Sequence, residues 1–261
     1  MPSAFVVFRG FEESIQKAYH LGLDGIELAL KNAEEIDPVK LDQWLNATGL
    51  TVSCVSTGQV YADAGLMFTD EDEGKRSIVT KKFKEIIDLA ADFGQLVNIG
   101  RVRGRLGEHP RKSKEFFKRV VTEICEYADR REVTLILEPV NRYEIDFINS
   151  VVDGVSVLRE LDIPNLKLMP DTFHMNIEDS GIADTLSDNI EDIAYIHFAD
   201  SNRLAPGQGH IDFDGIFRSL QSVDYRGWVS LEILPKPNPD VAARQAADFL
   251  VPRIENYNQN Q

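Results

Sequence analysis

Short apolar runs alternate with longer amphipathic stretches along the chain. The run at 4–8 is followed by Gly10 and an amphipathic segment over 12–21, which predicts a strand and then a helix. Gly22 and Gly25 close that helix and open a second strand over 25–28. Asp37 before Pro38 reads as an N-cap followed by proline at the first helical position, so a helix is expected from there to Gly49. Residues 51–56 are rich in β-branched side chains and predict strand three. The stretch 57–69, with Gly58 and Gly65, reads as irregular. A long helix is expected from Thr69-Asp70 to Phe93, stopped by Gly94.

The second half continues the alternation. Residues 96–99 predict strand four, 100–110 a loop and 113–129 an amphipathic helix. Strand five is expected over 134–137, with a helix over 150–161 after it. Strand six is expected over 166–169, followed by a short helix within 179–188. Strand seven is expected over 193–198, then a Gly/Pro-rich loop over 204–209 and a helix over 213–222. Strand eight is expected over 228–232, before a closing helix over 239–256 and a polar, frayed end. Eight strands alternating with about eight helices imply parallel βαβ units. In 261 residues this is the α/β class, a closed (β/α)8 TIM barrel rather than an open sheet. No linker or low-complexity block interrupts the pattern, so a single domain over 1–261 is expected.

Four of the apolar runs stop on a polar residue of the kind that binds metal. The run at 134–137 ends on Glu138, followed by Pro139; the later ones deliver Asp171, His197 and Glu232. The intervals of 33, 26 and 35 residues each fit one strand–helix unit. In such a barrel reactive groups sit where strands end at the C-terminal face, and all four fall there. Three carboxylates so close together are mutually repulsive unless they pair or bind a cation. Oxygen donors with one imidazole suit one divalent ion, Mn2+ favoured and Mg2+ or Co2+ next, better than a thiolate-preferring metal. The plainer expectation for any one of these acids is that it caps the following helix or pairs with an arginine such as Arg142.

Charge and composition narrow the partners. The net charge of −15 and pI near 4.8 disfavour nucleic acid and anionic membrane but leave room for a small anionic substrate at a locally positive site. No apolar run approaches the roughly 18 residues of a membrane span, and the N-terminus does not read as a signal peptide. Cys54 and Cys125, 71 positions apart, form neither a metal motif nor a disulfide framework, which favours a cytoplasmic location. Homo-oligomerisation stays open.

Further polar groups surround the four. His174 lies one short turn beyond Asp171 and faces the same ligand; Asn141-Arg142-Tyr143-Glu144 offers Glu144 to a hydroxyl; Arg203 follows His197 and offers a guanidinium. The flexible turn Pro206-Gly-Gln-Gly-His210 is expected to bring His210 back over the pocket. His20 and His109 read as surface residues. Arg101, Arg103 and Arg105 after strand four offer forks to a phosphate, or form a solvated basic loop.

The segments LILEPVNRYE, LMPDTFHMNIED, IHFADSNR, PGQGHIDF and VSLEI, in this order, resemble the xylose isomerase-like TIM barrels and, within them, the D-tagatose 3-epimerase group of ketose epimerases. The resemblance covers about 134–233. It implies that Glu138 and Glu232 are metal-binding catalytic glutamates, Asp171 and His197 pure ligands, and His174, Arg203 and Glu144 contacts to the sugar near carbon 2. The chain departs from that group at strand one, where AFVVFRG lacks pocket aromatics, and at Gln208-Gly-His210, where the group has Lys-Gly-Arg. The expected reaction is epimerisation of a carbohydrate or its phosphate through a cis-enediolate, with Glu138 and Glu232 as acid and base. Dehydration of an inosose, or aldose–ketose isomerisation as of hydroxypyruvate, would use the same site. An abasic-site endonuclease of the same barrel type would need further histidines from earlier strands, where this chain has Glu27, Ser56 and Asn98.

Overall fold

A computed structural model describes residues 1–259. Eight parallel strands form one curled sheet: β1 (Ser3–Val7), β2 (Gly25–Ala29), β3 (Thr51–Ser56), β4 (Leu96–Ile99), β5 (Thr134–Leu137), β6 (Leu166–Leu168), β7 (Tyr195–Phe198) and β8 (Trp228–Leu231). Their order is β6-β5-β4-β3-β2-β1-β8-β7. The seam between β6 and β7 is joined by two isolated parallel bridges, Leu168 with Ile193 and Asp171 with His197. The fold is therefore the expected (β/α)8 barrel, and two of the four candidate ligands meet at its closing seam.

The helices are α1 (Phe11–His20), α2 (Pro38–Thr48), α3 (Gly58–Ala64), α4 (Glu73–Asp92), α5 (Pro110–Asp129), α6 (Val151–Leu161), α7 (Thr172–Glu178), α8 (Ile182–Asp188), α9 (Phe213–Ser222) and α10 (Pro239–Gln259). The main core lies between strands and helices, with Ile26, Leu28, Val55, Phe83, Phe117, Leu137 and Phe198 fully or almost fully buried. A smaller cluster of Cys54, Ile136, Met169 and Tyr195 is drawn from β3, β5, the end of β6 and β7. It is the kind of interior layer that makes such a barrel a packed core rather than a pore.

Several boundaries follow local chemistry. Asp37 caps α2 through Val39 N and Lys40 N, Pro38 opens the helix, and Gly49 ends it at φ 73°, as expected. Ser150 and Asp153 form a reciprocal capping box, so Ser150 lies just outside α6. The start of α4 moves to Glu73 because Asp72 is the cap; Asp70 instead accepts from Asp72 N in the preceding turn. Pro110 starts α5 ahead of the expected Ser113. The irregular stretch 57–69 contains α3. The short helix expected within 179–188 is α8, and a further helix not expected from sequence, α7, precedes it with Asp179 as its C-cap. The last helix runs to Gln259, beyond the expected 256; the remainder of the expected frayed end, Asn260 and Gln261, lies outside the described residues.

Asp179 ties α7 to α6 by accepting from Val151 N, while its Oδ2 is buried without a partner among the described residues. Burial, with Asp153 and Glu178 nearby, pushes its carboxyl up to about 6 from 3.8. A raised carboxyl pKa favours the folded state below 3.8, and that contribution is lost as pH rises through 6. Asp179→Asn is thus expected to stabilise the protein at neutral pH by about 1 kcal/mol, a figure reduced for partial solvent exposure. Urea melts of the two proteins should converge as pH falls towards 3.8.

Candidate metal centre and active site

Glu138, Asp171, His197 and Glu232 each present one ligand atom, and these atoms lie within 4.8 Å of one another. Glu138 is the first residue beyond β5, Asp171 the N-cap of α7, His197 part of β7 and Glu232 the first residue beyond β8. His197 Nδ1 is 3.7 Å from Glu138 Oε1, 3.7 Å from Asp171 Oδ2 and 3.5 Å from Glu232 Oε2. Among the described residues it has no hydrogen-bond partner although it is buried. A buried ring nitrogen facing three carboxylate oxygens, each too far for a good hydrogen bond, fits a site for a cation between them. Those four donors would hold a divalent ion of the manganese or magnesium type.

The charges in the cage balance strongly. Burial alone would raise the Asp171 carboxyl, but Arg203, His197 and His174 hold it well below the usual carboxylate range. Burial opposes ionisation of Glu232 too, yet Arg203 and His197 bring it down to about 2. For His197, burial works against the charged ring, but Glu27, Asp171, Glu138 and Glu232 together raise it well above its ordinary value.

Asp171 combines two roles. Its Oδ1 accepts from Phe173 N and caps α7, as the plainer expectation had it, while Oδ2 faces the cage and accepts from Arg203 Nη1 at 2.7 Å. Arg142 is not the partner of Glu138. It binds Glu178 at the end of α7 through backbone and guanidinium. Behind Glu138, Arg103 is fully buried and donates to the carbonyls of Glu138 (2.7 Å), Gly100, Phe147 and Ile148. This corrects both expectations for Arg103: it holds neither phosphate nor solvent but fastens the β4 and β5 loops together. Arg101 and Arg105 are exposed and contact Glu144, Arg101 at 3.5 Å through its side chain and Arg105 through the backbone carbonyl.

Gly100 lies against the cage. A Cβ there would come 2.9 Å from Glu138 Oε2 and 3.2 Å from Asn98 Oδ1. The Glu138 carboxylate can swing aside, so Gly100→Ala should cost little stability. It should nevertheless displace a carboxylate of the cage, and where the displaced group takes part in chemistry a shift of that size lowers kcat by about 100-fold. Thermal melts alongside steady-state kinetics would separate the two effects.

The other expected contacts divide. His174 is buried, with Nδ1 2.7 Å from Asn141 Nδ2 and Nε2 3.9 Å from Glu138 Oε1, so it faces the cage. Arg203 joins the cage directly, donating to Asp171 and, through a short contact, to Glu232. Its backbone is left-handed at φ 63°. Glu144 is half-exposed, reached by Asn141 Nδ2 at 3.4 Å. His210 is exposed and lines a cavity with Asn176 and Asp212, and it is not among the four residues of the cage. The Gly/Pro-rich turn is pinned by Asp200, which accepts from Gly207 N and Ile211 N. His20 and His109 are on the surface as expected. A cavity of about 730 Å³ opens near the ends of β1 and β8, lined by Phe5, Phe8, Arg9, Pro235 and the two neighbours of Glu232, Leu231 and Ile233.

From sequence Glu27 is expected only as a strand end. It is mid-strand in β2 and fully buried. Its Oε2 lies 2.8 Å from His197 Nε2 and accepts from Tyr195 OH at 2.9 Å, while Ser56 Oγ donates to Oε1. The available signal was an acid inside GIELAL, an otherwise apolar run of a buried parallel strand.

A profile described as xylose isomerase-like TIM barrel matches residues 15–253. A D-psicose 3-epimerase of Ruminiclostridium cellulolyticum is 35% identical over 230 residues, 84% of this chain and 76% of that one. A 3-dehydro-D-guloside 4-epimerase of Escherichia coli is 28% identical over 245 residues, 85% of this chain and 88% of that one. The structure of a D-allulose 3-epimerase from a Methylomonas species in complex with D-allulose superposes with TM-score 0.85 at 24% identity, covering 97% of each chain.

Proposed function

The chain belongs to the xylose isomerase-like TIM barrel family, and from that premise we propose that it is a divalent-metal-dependent sugar epimerase, an isomerase-class enzyme whose site best fits ketose 3-epimerisation. One observation carries this reading: the partnerless His197 Nδ1 facing Glu138, Asp171 and Glu232 at the barrel mouth, with two of those carboxylates on strands three steps apart. The names of relatives, which include a 3-epimerase and a 4-epimerase, support inversion of a carbon next to a carbonyl.

Glu138, Asp171, His197 and Glu232 would hold the ion, Mn2+ favoured. When bound, it supplies Lewis acidity that favours negative charge on a carbonyl and neighbouring hydroxyl oxygen. Glu138 takes the proton from one face of the carbon and Glu232 returns one to the other, with the roles exchanged for the opposite epimer. His174, steadied by Asn141, and Arg203 donate hydrogen bonds to the substrate oxygens, and Glu144 accepts from a hydroxyl at the rim. In the structure Arg203 binds Glu232. Burial opposes ionisation of Glu232 while Arg203 and His197 favour it, so turning that guanidinium towards substrate would weaken the hold on the ionised form, with a bound cation acting the other way.

The test is a panel of free ketoses, including D-psicose, with 3-keto glycosides and hydroxypyruvate, incubated with Mn2+ and followed by NMR and mass spectrometry. The reading expects an epimer of unchanged mass. A product lighter by one water would mean dehydration, and an aldose would mean isomerisation; either would replace the epimerase assignment.

A further inference from the structure

A carboxylate with no exposure, deep in a barrel, is costly unless something needs it there. Glu27 has three donors: His197 Nε2, Tyr195 OH and Ser56 Oγ. Tyr195 OH in turn lies 2.7 Å from Ser53 Oγ, which also donates to Ile26 O at 3.1 Å. The β2–β3 pairing slips at this point: Ile26 faces Val52 but Glu27 faces Cys54, leaving Ser53 as the extra residue. Such a bulge re-aims side chains beside functional sites. The network thus runs through β2, β3 and β7 and ends on one face of the His197 ring. The other ring nitrogen, Nδ1, faces the three carboxylates.

We propose that Glu27 is the positioning residue of the metal centre: it holds His197 from behind through Nε2–H, so that Nδ1 is the ring nitrogen presented to the cation. This rests on reading the cage as a metal site. Imidazole has two nitrogens, and the hydrogen bond made by one decides which is left for the metal. An acid at the back also makes the ring a stronger donor. Tyr195 and Ser56 fix the carboxylate itself, leaving His197 little freedom to tilt. Glu27 touches neither substrate nor metal in this scheme; it acts through His197.

The experiment is calorimetric Mn2+ titration, at one fixed pH, of the wild-type chain, Glu27→Gln and Glu27→Asp. Each is also melted in excess chelator, and pulsed EPR of the bound Mn2+ reads its imidazole nitrogen coupling. Glu27→Gln is expected to weaken Mn2+ binding by about 10- to 100-fold and to alter the nitrogen coupling. Glu27→Asp keeps the charge but withdraws it by one methylene, and should weaken binding by at least about 10-fold. Chelated melts measure the structural cost separately, and a purely structural role would leave the nitrogen coupling of the folded variants unchanged. Wild-type affinity and coupling in Glu27→Gln would overturn the inference; if that variant does not fold, wild-type affinity and coupling in Glu27→Asp would do so. A wild-type chain that binds no Mn2+ would sink the metal site and this inference together, whereas a binding wild type with unaffected variants sinks only the inference.

Discussion

Glu138→Gln and Glu232→Gln are each expected to lower turnover by about 100- to 10,000-fold, with both proteins still folded. Glutamine keeps the size and an oxygen of the side chain but cannot accept a proton at catalytic pH. Both residues lie just beyond strand ends, and neither is in the apolar core, so the barrel should tolerate the change. The two variants should also differ from each other. With one base intact, the protein can still exchange the reacting proton of one epimer with solvent but cannot invert the carbon. Each variant should therefore wash solvent deuterium slowly into one epimer, and the two variants into opposite epimers. Proton NMR of separately supplied epimers reads this directly. Wild-type turnover in both variants would remove the two-base scheme.

Chelation is expected to abolish turnover, and Mn2+ to restore it. At about 100 times Kd a ligand specific to the folded state contributes about 2.7 kcal/mol, which for a chain of this size should raise Tm by about 5–10 °C. Asp171→Asn isolates the cause. Asparagine can cap α7 as aspartate does, so the helix keeps its start. The carboxylate oxygen facing His197 and Arg203 is lost. Having also lost the buried pair with Arg203, that variant should melt below the chelated wild type and show little rise on adding Mn2+. A full rise in Tm would place the ion elsewhere.

The four cage residues are legible in the sequence because a strand ending on an acid or histidine is visible in one dimension. The repeat of that pattern at strand–helix intervals put all four at one end of the barrel. What the sequence hid depends on three-dimensional partners. The run TFHMNIE carries little helical periodicity, and α7 is started by Asp171, whose other oxygen faces the cage. RVRGR reads as a basic loop, yet Arg103 points inward to four carbonyls while Arg101 and Arg105 stay outside. The partner of Glu27 is 170 residues away, so its acid was visible but its purpose was not. His210 is a different case: its glycine-rich turn reads as mobile in the sequence, and Asp200 pins that turn with His210 left exposed.

In the proposed mechanism a cation held by Glu138, Asp171, His197 and Glu232 lets the two glutamates pass a proton across one sugar carbon. Its most direct test is turnover of an accepted ketose by Mn2+-loaded wild-type protein in heavy water, with the product examined by NMR. The expected result is deuterium at the inverted carbon of the product, and none in a chelated control. An epimer formed at full rate with its original hydrogen still on the inverted carbon would contradict it.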